Sequence, residues 1–232
     1  MSNEASRALV TGTSSGIGLA IAARLLADGW DVIGVDLHAP VLEHPCFSAV
    51  DADLMDRDAA RRVARAAGKL DALVHAAGLL RVAPLGKLDA DDGDQMWRVH
   101  VEAITEIADV VVPQMAGAGH GRVVLIGSRV SRGIAGRSQY AATKAALVSL
   151  ARSWAAEVVA QGVTVNLVSP AATQTEMLDD PARASAAPML PPIGRLIQPQ
   201  EIASLVAYLL SPAAAAITGQ DIQVCGGASL AA

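Results

Sequence analysis

Tyr140 and Lys144 are the pair whose residue types and spacing point most directly to chemistry. They lie four positions apart in a segment with helical periodicity, so both side chains are expected on one helix face. A free tyrosine titrates near pKa ~10, but a neighbouring ammonium favours the phenolate and lowers that pKa. The pair would then donate and accept a proton near neutral pH. Taken alone, a Tyr/Lys pair at this spacing is more often a solvated helix face.

A third residue, Ser128, favours a catalytic role for this pair over a solvated helix face. It lies twelve positions before Tyr140 and at the carboxyl end of the apolar run at residues 121–126, which predicts a buried strand. A hydroxyl at the end of that strand would hydrogen-bond a substrate oxygen and hold it near the phenol. The three residues together predict proton transfer to or from an oxygen of a small molecule.

A glycine-rich turn, TGTSSGIG at residues 11–18, lies between an apolar run at 8–10 and an apolar-periodic segment at 19–26. A strand that enters such a turn and then a helix aims backbone N–H groups and the positive helix end at one point, where phosphate binds. The spacing matches the general dinucleotide fingerprint only loosely, and an ordinary tight turn is the alternative. The residues of the turn expected to hold a cofactor are Gly12, Ser15, Gly16, Ile17 and Gly18.

Asp36 closes a second predicted strand at residues 31–35, about 20 residues beyond the turn. A carboxylate there accepts hydrogen bonds from both ribose hydroxyls of an adenosine and repels a 2′-phosphate. No basic residue adjoins it, because Leu37 follows and Ser15 occupies the turn. These residues favour NAD over NADP. A turn or capping aspartate is the alternative.

The elements that position these residues alternate between strands and helices along the whole chain. The pattern predicts a parallel sheet with helices on both faces, a single-domain α/β, Rossmann-type doubly wound fold of about seven strands. The long third helix is expected to stop near Pro113, and the Pro/Ala/Ser-rich segment at 171–197 is expected to be a substrate lid. Strands are predicted at 8–10, 31–35, 47–50, 70–74, 121–126, 163–169 and 221–224, and helices at 19–26, 56–67, 92–112, 139–160 and 199–210.

The candidate residues converge on one edge of this sheet. Ligands of doubly wound sheets bind beyond the carboxyl ends of the strands, at the switch point. At the end of the fourth predicted strand, Ala77 and Gly78 are small enough for a flat ring or sugar to approach the backbone. The strand ends also carry the glycine turn, Asp36, Asp53, Ser128 and Pro170.

Composition excludes several classes of function. The chain has 232 residues, 52% of them apolar and 18% charged, which fits one well-buried domain. The net charge of −5, without any Lys/Arg block, argues against nucleic-acid binding. No apolar run approaches the roughly 18 residues of a membrane helix, and the polar N-terminus predicts a cytoplasmic protein. Cys46 and Cys225 are isolated and lack metal-ligand spacing, so no metal is expected.

These motifs in this order resemble the classical short-chain dehydrogenase/reductase family over essentially the whole chain. The resemblance rests on TGTSSGIG (11–18), Asp36, HAAG (75–78), IGS (126–128), YAATK (140–144) and SPAATQT (169–175). It implies NAD(H)-dependent interconversion of a secondary alcohol and a ketone. By the resemblance, Tyr140 is the general acid/base, Lys144 binds the nicotinamide ribose and Ser128 orients the substrate oxygen. Asp53 and Leu54 would flank the adenine, and Thr173 and Thr175 would contact the carboxamide.

Several positions depart from the family pattern. His100 stands where the family usually has an asparagine in its proton relay; an imidazole can relay protons, but a packed helix histidine is the alternative. His75 replaces the first asparagine of the family's N-N-A-G and is expected to be structural. Ala171 replaces a glycine. Because the interval from Ser128 to Tyr140 is one residue shorter than the family leads us to expect, Ser131 is an alternative to Ser128.

The substrate class is the least determined part of the sequence-based interpretation. Segments near residues 70–85, 142–153 and 199–230 most resemble family members that oxidise cyclic diols, such as 2,3-dihydro-2,3-dihydroxybenzoate dehydrogenases. A cyclic diol or hydroxy acid is therefore the leading substrate, and Arg81, Arg129 or Arg132 could pair with its carboxylate. The alternatives are a 3-oxoacyl-type carbonyl reductase, which would normally use NADPH, and a non-catalytic dinucleotide-binding regulatory protein. A homodimer or homotetramer packed through the helices at 92–112 and 139–160 is expected.

Overall fold

The structure is a computed structural model that describes residues 5–178 and 189–230. Strands and helices alternate as the sequence predicts, except that the third strand follows the second without a helix between them. The strands are β1 (Arg7–Thr11), β2 (Asp31–Asp36), β3 (Phe47–Asp51), β4 (Ala72–His75), β5 (Gly121–Ile126), β6 (Val163–Pro170) and β7 (Asp221–Val224). The helices are α1 (Gly16–Ala27), α2 (Arg57–Ala66), α3 (Ala90–Trp97), α4 (Ala103–Ala118), α5 (Ser138–Val158) and α6 (Pro199–Leu210).

The seven strands form one parallel sheet in the order β3-β2-β1-β4-β5-β6-β7. The chain runs outward from β1 to β3, then returns and runs outward in the opposite direction from β4. Strand order therefore reverses between β1 and β4, and the crevice at their carboxyl ends is the switch point at which such sheets bind ligands. The predicted single-domain doubly wound fold is confirmed.

Side chains of the central strands alternate between two hydrophobic cores. On one face, Leu9, Leu73 and Leu125 pack with α2, α4 and α5. On the other, Val10, Val74 and Ile126 pack with α1 and α6. The central strands are apolar at nearly every position because both faces of the sheet are covered.

Pro113 does not end the third predicted helix, so that prediction was wrong. Instead α4 continues through Pro113 to Ala118. A proline lacks the N–H that would bond to the carbonyl of Asp109, but both residues lie on the exposed side of the helix, where water can satisfy that carbonyl. Val112 and Met115 remain packed on the sheet, and this packing keeps the helix continuous.

The same predicted helix is interrupted by a π-helical turn at Arg98–Glu102, between α3 and α4. Such turns shift the hydrogen-bond register of a helix and often occur at functional sites. Here the turn contains His100, which is fully buried.

The predicted lid at 171–197 lies partly outside the described residues, which break off at 178 and resume at 189. Its two described ends meet through a bridge between Thr173 and Ile197. No described helix is long and apolar enough to cross a membrane.

Candidate active site

A cavity of about 650 Å³ runs along the carboxyl ends of the strands. Its volume falls in the range typical of small-molecule sites. Every residue that the sequence analysis assigned to catalysis or cofactor binding lines it: Gly12, Ser15, Gly16, Ile17, Gly18, Asp36, Asp53, Leu54, Ala77, Gly78, His100, Ser128, Tyr140, Lys144, Pro170, Thr173 and Thr175. Parallel strands bring these residues together because all their carboxyl ends meet at one edge of the sheet.

The glycine turn forms the wall of the cavity at the start of α1. Gly12 has a φ of +77°, and a Cβ at this position would lie 2.8 Å from the backbone of Ala77. A Cβ on Gly18 would collide with the carbonyl oxygen of Gly12. Glycine is therefore required at both positions for backbone packing. Gly16 lies next to Thr175 in the cavity lining, and a Cβ on Gly16 would lie 3.2 Å from the threonine methyl group.

Asp36 lies at one end of the cavity, after β2. Its Oδ2 accepts from the Ser14 N–H at 2.9 Å, and its Oδ1 accepts from the His38 N–H at 3.0 Å and lies 3.2 Å from His38 Nδ1. Burial acts to raise the pKa of Asp36, but hydrogen bonds from the His38 and Ser14 N–H groups and the His38 ring outweigh it. The pKa therefore lies below its ordinary value, and the side chain is an anion at neutral pH.

Tyr140 and Lys144 lie on the same side of α5, as predicted, and both are buried. Lys144 Nζ donates to the carbonyl of Ile126 at 2.9 Å and lies 5.8 Å from the centroid of the Tyr140 ring. Burial lowers the pKa of Lys144 from 10.5 to about 7. An ammonium has three N–H donors, so Nζ can still donate to hydroxyl groups of a ligand.

Ser128 follows β5 and accepts from the Val130 N–H at 3.2 Å through its Oγ, so its own O–H stays available as a donor. It lines the cavity, whereas Ser131, the alternative, lies outside the lining. Of the two serines, Ser128 therefore has the position to contact a substrate.

His100 contacts the element that carries Tyr140. Its Nε2 accepts from the Leu79 N–H at 3.0 Å, and its Nδ1 lies 2.8 Å from Thr143 Oγ1, which in turn donates to the Tyr140 carbonyl. The Leu79 contact fixes the proton of the neutral ring on Nδ1. Burial and the charge of Lys144 hold the pKa of His100 well below its ordinary value. The imidazole also meets the Tyr140 ring edge-on, with 5.6 Å between centroids.

His75 has structural contacts, as expected. Its Nδ1 lies 2.9 Å from Thr11 Oγ1, and its Nε2 lies 3.1 Å from the carbonyl of Val99 in the π turn. The Thr11 oxygen also accepts from the N–H groups of Ala76 and Ala77. Burial lowers the pKa of His75 to about 3, so the ring is neutral and joins β1, β4 and the π turn.

Of the three arginines expected to lie near a substrate carboxylate, one lines the cavity. Arg129 lines the cavity and donates to the Ala228 carbonyl at 3.3 Å. Arg81 pairs with Asp92, and Arg132 is exposed; neither lines the cavity. Arg137, which the sequence analysis missed, does line it, and no carboxylate of the described residues pairs with Arg137. Its position three residues before Tyr140, at the N-terminal end of α5, was the available signal.

Near Tyr140, one wall of the cavity is apolar. Leu80 and Val130 pack with Tyr140 in a small hydrophobic cluster, and Leu79 and Ile134 extend it. Met177, Leu178 and Met189 add further apolar side chains to the cavity lining. Among the described residues, no group of His, Cys, Asp and Glu side chains has the arrangement of a metal site.

The residues present fit a nicotinamide dinucleotide. Gly12, Gly16 and Gly18 line the cavity at the start of α1. Asp36 offers an anionic acceptor at one end, and Lys144 offers N–H donors at the other. A bound cofactor would supply hydride chemistry, which no protein side chain provides.

The chain matches a family profile described as enoyl-(acyl carrier protein) reductase over residues 12–229. It is 35% identical to the 3-oxoacyl-[acyl-carrier-protein] reductase of Escherichia coli strain K12, over 98% of both chains. It is also 34% identical to the D-threitol dehydrogenase of Mycolicibacterium smegmatis, over 95% of this chain and 91% of that protein.

Two solved structures are also similar. A short chain dehydrogenase/reductase family protein superposes with a TM-score of 0.90 at 38% identity, over 99% of this chain and 100% of the other. An actinorhodin polyketide ketoreductase with NADPH superposes with a TM-score of 0.87 at 26% identity, over 97% of this chain and 98% of the other. Together with the motifs and the geometry of the cavity, these matches show that the chain is an oxidoreductase of the classical short-chain dehydrogenase/reductase family.

Proposed function

We propose that this oxidoreductase interconverts a secondary alcohol and its ketone with NAD(H), and that Tyr140 is its general acid/base. The observation that carries the proposal is the placement of Lys144 Nζ, 5.8 Å from the Tyr140 ring centroid, in the same cavity as the glycine turn and Asp36. One cavity therefore contains a proton-transfer group, Tyr140, and the residues proposed to bind a dinucleotide.

Ser128, Tyr140 and Lys144 have separate roles in alcohol oxidation. Ser128 Oγ hydrogen-bonds the substrate oxygen, and Tyr140 Oη accepts the hydroxyl proton as the carbinol C–H bond breaks. A dinucleotide held by the glycine turn, Asp36 and Lys144 would supply the hydride acceptor, so alcohol and NAD would give ketone, NADH and one proton. Lys144 stabilises the phenolate form of Tyr140 and binds ribose hydroxyls through its remaining N–H groups. In the reverse direction Tyr140 donates the same proton.

Asp36 supports NAD as the preferred cofactor. A 2′-phosphate beside this anionic carboxylate would be repelled, whereas ribose hydroxyls would donate to it. The similarity to a ketoreductase with NADPH leaves NADP as the competing cofactor.

A cyclic diol or a hydroxy acid is the proposed substrate class. The similarity to a D-threitol dehydrogenase supports oxidation of a polyhydroxy compound. Arg129 and Arg137 in the cavity lining support a substrate with a carboxylate, since guanidinium groups bind carboxylates well. The resemblance to 2,3-dihydro-2,3-dihydroxybenzoate dehydrogenases combines these two features.

Reduction of a 3-oxoacyl group is the second candidate. The similarity to 3-oxoacyl-[acyl-carrier-protein] reductases favours it, and so does the apolar wall near Tyr140, which could pack against an acyl chain. A substrate panel of cyclic diols, hydroxy acids, their methyl esters and 3-oxoacyl thioesters, followed by NADH absorbance, distinguishes the two candidates.

Tyr140→Phe tests the proposed activity. The variant is expected to keep NADH affinity and to lose at least about 99% of turnover, because general acid/base groups contribute about 10²–10⁴-fold. Tyr208→Phe, which changes the exposed tyrosine on α6, is the matched control and is expected to match the parent. Unchanged turnover in Tyr140→Phe would contradict the mechanism. A parent that binds NADH but turns over no substrate of the panel would instead favour a regulatory dinucleotide-binding protein.

We further propose that residues 1–232 form one NAD-binding domain with a substrate lid at 171–197. We also propose that the chain forms a homodimer or homotetramer through α4 and α5. Exposed small side chains on α5 support close approach of a second copy; they are Ala142, Ser149, Ser153 and Ala156.

A further inference from the structure

Arg122 is a buried cation at the amino-terminal edge of the sheet, opposite the edge that carries the candidate active site. It is the second residue of β5 and is 5% exposed. Val124 and Ile126, two and four positions further along β5, face the core formed with α1 and α6. Because the side chains of a strand alternate between its two faces, the Arg122 side chain lies on that same face. The proposed reaction makes no use of it.

Among the described residues, the Arg122 guanidinium has two carbonyl oxygens as partners. Its Nη1 donates to the carbonyl of Gly121 at 2.8 Å and to the carbonyl of Gly162 at 3.2 Å. Burial lowers the pKa of Arg122, and no carboxylate of the described residues counters that effect. An arginine nevertheless stays protonated in a folded protein. The side chain is therefore a buried positive charge without a negative partner from the described chain.

Two buried polar atoms on this face have no hydrogen-bonding partner among the described residues. They are Nε of Arg122 and Oγ1 of Thr164. Thr164, which is 3% exposed, is the residue of β6 that pairs with Arg122 in the parallel register. Val168, four positions further along β6, lies in the same core as Val124, so Thr164 shares the face of Arg122. Neighbouring strands are only about 4.8 Å apart, so one acceptor can receive both the N–H and the O–H.

The surroundings favour an anion over water as that acceptor. On its other side Arg122 pairs with Ala72, and the core of this face contains Leu210 and Ala214, none of which has a polar side chain. The carboxylate of Asp71, just before β4, accepts from the Arg7 N–H at 2.8 Å. A water molecule would need acceptors for its own hydrogens and would leave the guanidinium charge uncompensated, whereas an anion accepts from both groups and balances the charge.

We propose that Arg122 and Thr164 form a binding site for a small monovalent anion such as chloride. Nε of Arg122 and Oγ1 of Thr164 donate to the ion, which joins the amino-terminal ends of β5 and β6. The position between two neighbouring strands suits a single-atom ion. Because the two side chains come together only when the strands pair, the ion binds the folded chain and stabilises it.

The dependence of stability on chloride tests the site. Urea denaturation is measured at about 10 and about 300 mM chloride, with gluconate, an anion too large for the site, keeping the ionic strength and its screening of surface charges constant. Arg122→Met removes the charge with a side chain of similar length, and Thr164→Val removes the hydroxyl with a side chain of the same shape. Arg7→Met, at an exposed arginine on the same edge of the sheet, is the matched control.

For a Kd of about 10–50 mM, the folding equilibrium constant of the parent should rise about six- to fifteenfold between the two chloride concentrations. Arg7→Met should show the same rise. Arg122→Met should show none, and Thr164→Val should show a smaller rise because one donor remains. Equal chloride dependence in the parent and Arg122→Met would overturn the proposal.

Bromide provides a readout that does not depend on the folding of any variant. Anomalous diffraction from parent crystals soaked in bromide should show the ion within hydrogen-bonding distance of Arg122 Nε and Thr164 Oγ1. Absence of an anomalous peak at these two atoms would overturn the proposal. Since the site lies at the edge opposite the cavity, either outcome leaves the proposed dehydrogenase activity unaffected.

Discussion

At the scale of single residues, Lys144 shows how burial changes chemistry. Its pKa of about 7 means that the amine is mostly neutral slightly above neutral pH in the unliganded protein. A bound dinucleotide brings negative phosphates and hydroxyl acceptors, both of which favour the ammonium. The pKa of Lys144 should therefore rise on binding.

We expect proton uptake when NADH, whose nicotinamide ring is neutral, binds at about pH 7.5, and little uptake at about pH 5.5, where Lys144 is already charged. Calorimetry in two buffers with different ionisation enthalpies measures this uptake directly. Lys144→Met should remove the buffer dependence. If the parent shows the same binding enthalpy in both buffers, the buried amine does not change its charge on binding.

His100 is the residue for which the sequence left two roles open. Both of its ring nitrogens have hydrogen-bonding partners, and these partners fix the loop after β4 and the first turn of α5 around Tyr140. The contacts support a positioning role, and the proton-relay role that we expected from the family position remains a prediction.

The two roles of His100 predict different pH profiles. If His100 positions Tyr140, His100→Ala should lower the free energy of unfolding by about 1–3 kcal/mol, because buried polar groups lose their partners. Its kcat should fall while the shape of the pH profile stays the same. His100→Gln, which can still accept from the Leu79 N–H, should recover part of both losses. Loss of one limb of the kcat profile with unchanged stability would instead show a relay.

At the scale of elements, the turn from β1 into α1 and the π turn are the segments that shape the cavity. The first is fixed by sterics, because Gly12 packs so closely against the backbone of Ala77, after β4, that a Cβ would lie 2.8 Å from it. The second is fixed by hydrogen bonds, because the Val99 carbonyl lies 3.1 Å from His75 Nε2. Neither turn is stabilised by residues within it alone.

Gly18→Ala and Gly117→Ala form a matched pair of helical substitutions. A Cβ on Gly18 collides with backbone, so this variant should lose about 1–3 kcal/mol of stability and most of its NADH affinity. Gly117 in α4 faces open space, and alanine there should raise stability by up to about 1 kcal/mol. Urea denaturation and NADH fluorescence measure the two effects. Equal behaviour of the two variants would show that the turn tolerates a side chain.

At the scale of the whole molecule, α5 contributes to the active site and to the proposed interface between copies. Its inner side carries Tyr140 and Lys144, and its outer side exposes small residues such as Ser149. Association through α5 would therefore hold the catalytic side chains more rigidly.

Light scattering after size exclusion should give a mass of two or four chains of 23.7 kDa. Ser149→Arg places a long cation in the proposed interface and should shift the protein toward smaller species. Ala23→Arg, at an exposed position of α1 on the other face of the sheet, should have no such effect. A monomeric parent, or equal masses for both variants, would contradict an interface through α5.

Much of the site could be predicted because its parts depend on local sequence. The glycine turn, Asp36 and Ser128 follow predicted strands directly, and a parallel sheet brings all strand ends to one edge. The Tyr140 and Lys144 spacing is set by the helix period alone. For these residues, knowing the order of strands and helices was enough to place them in one cavity.

The tertiary structure decided what depends on contacts between distant parts of the chain. Leu79, His100 and Thr143 come from three different segments, so their hydrogen bonds and the tautomer of His100 have no local signal. The continuation of α4 through Pro113 depended on packing against the sheet, which outweighed the local preference of proline. The sequence by itself determined the fold class and the chemical groups. Only the packed structure decided their partners and protonation, because both depend on burial and on neighbours that folding brings together.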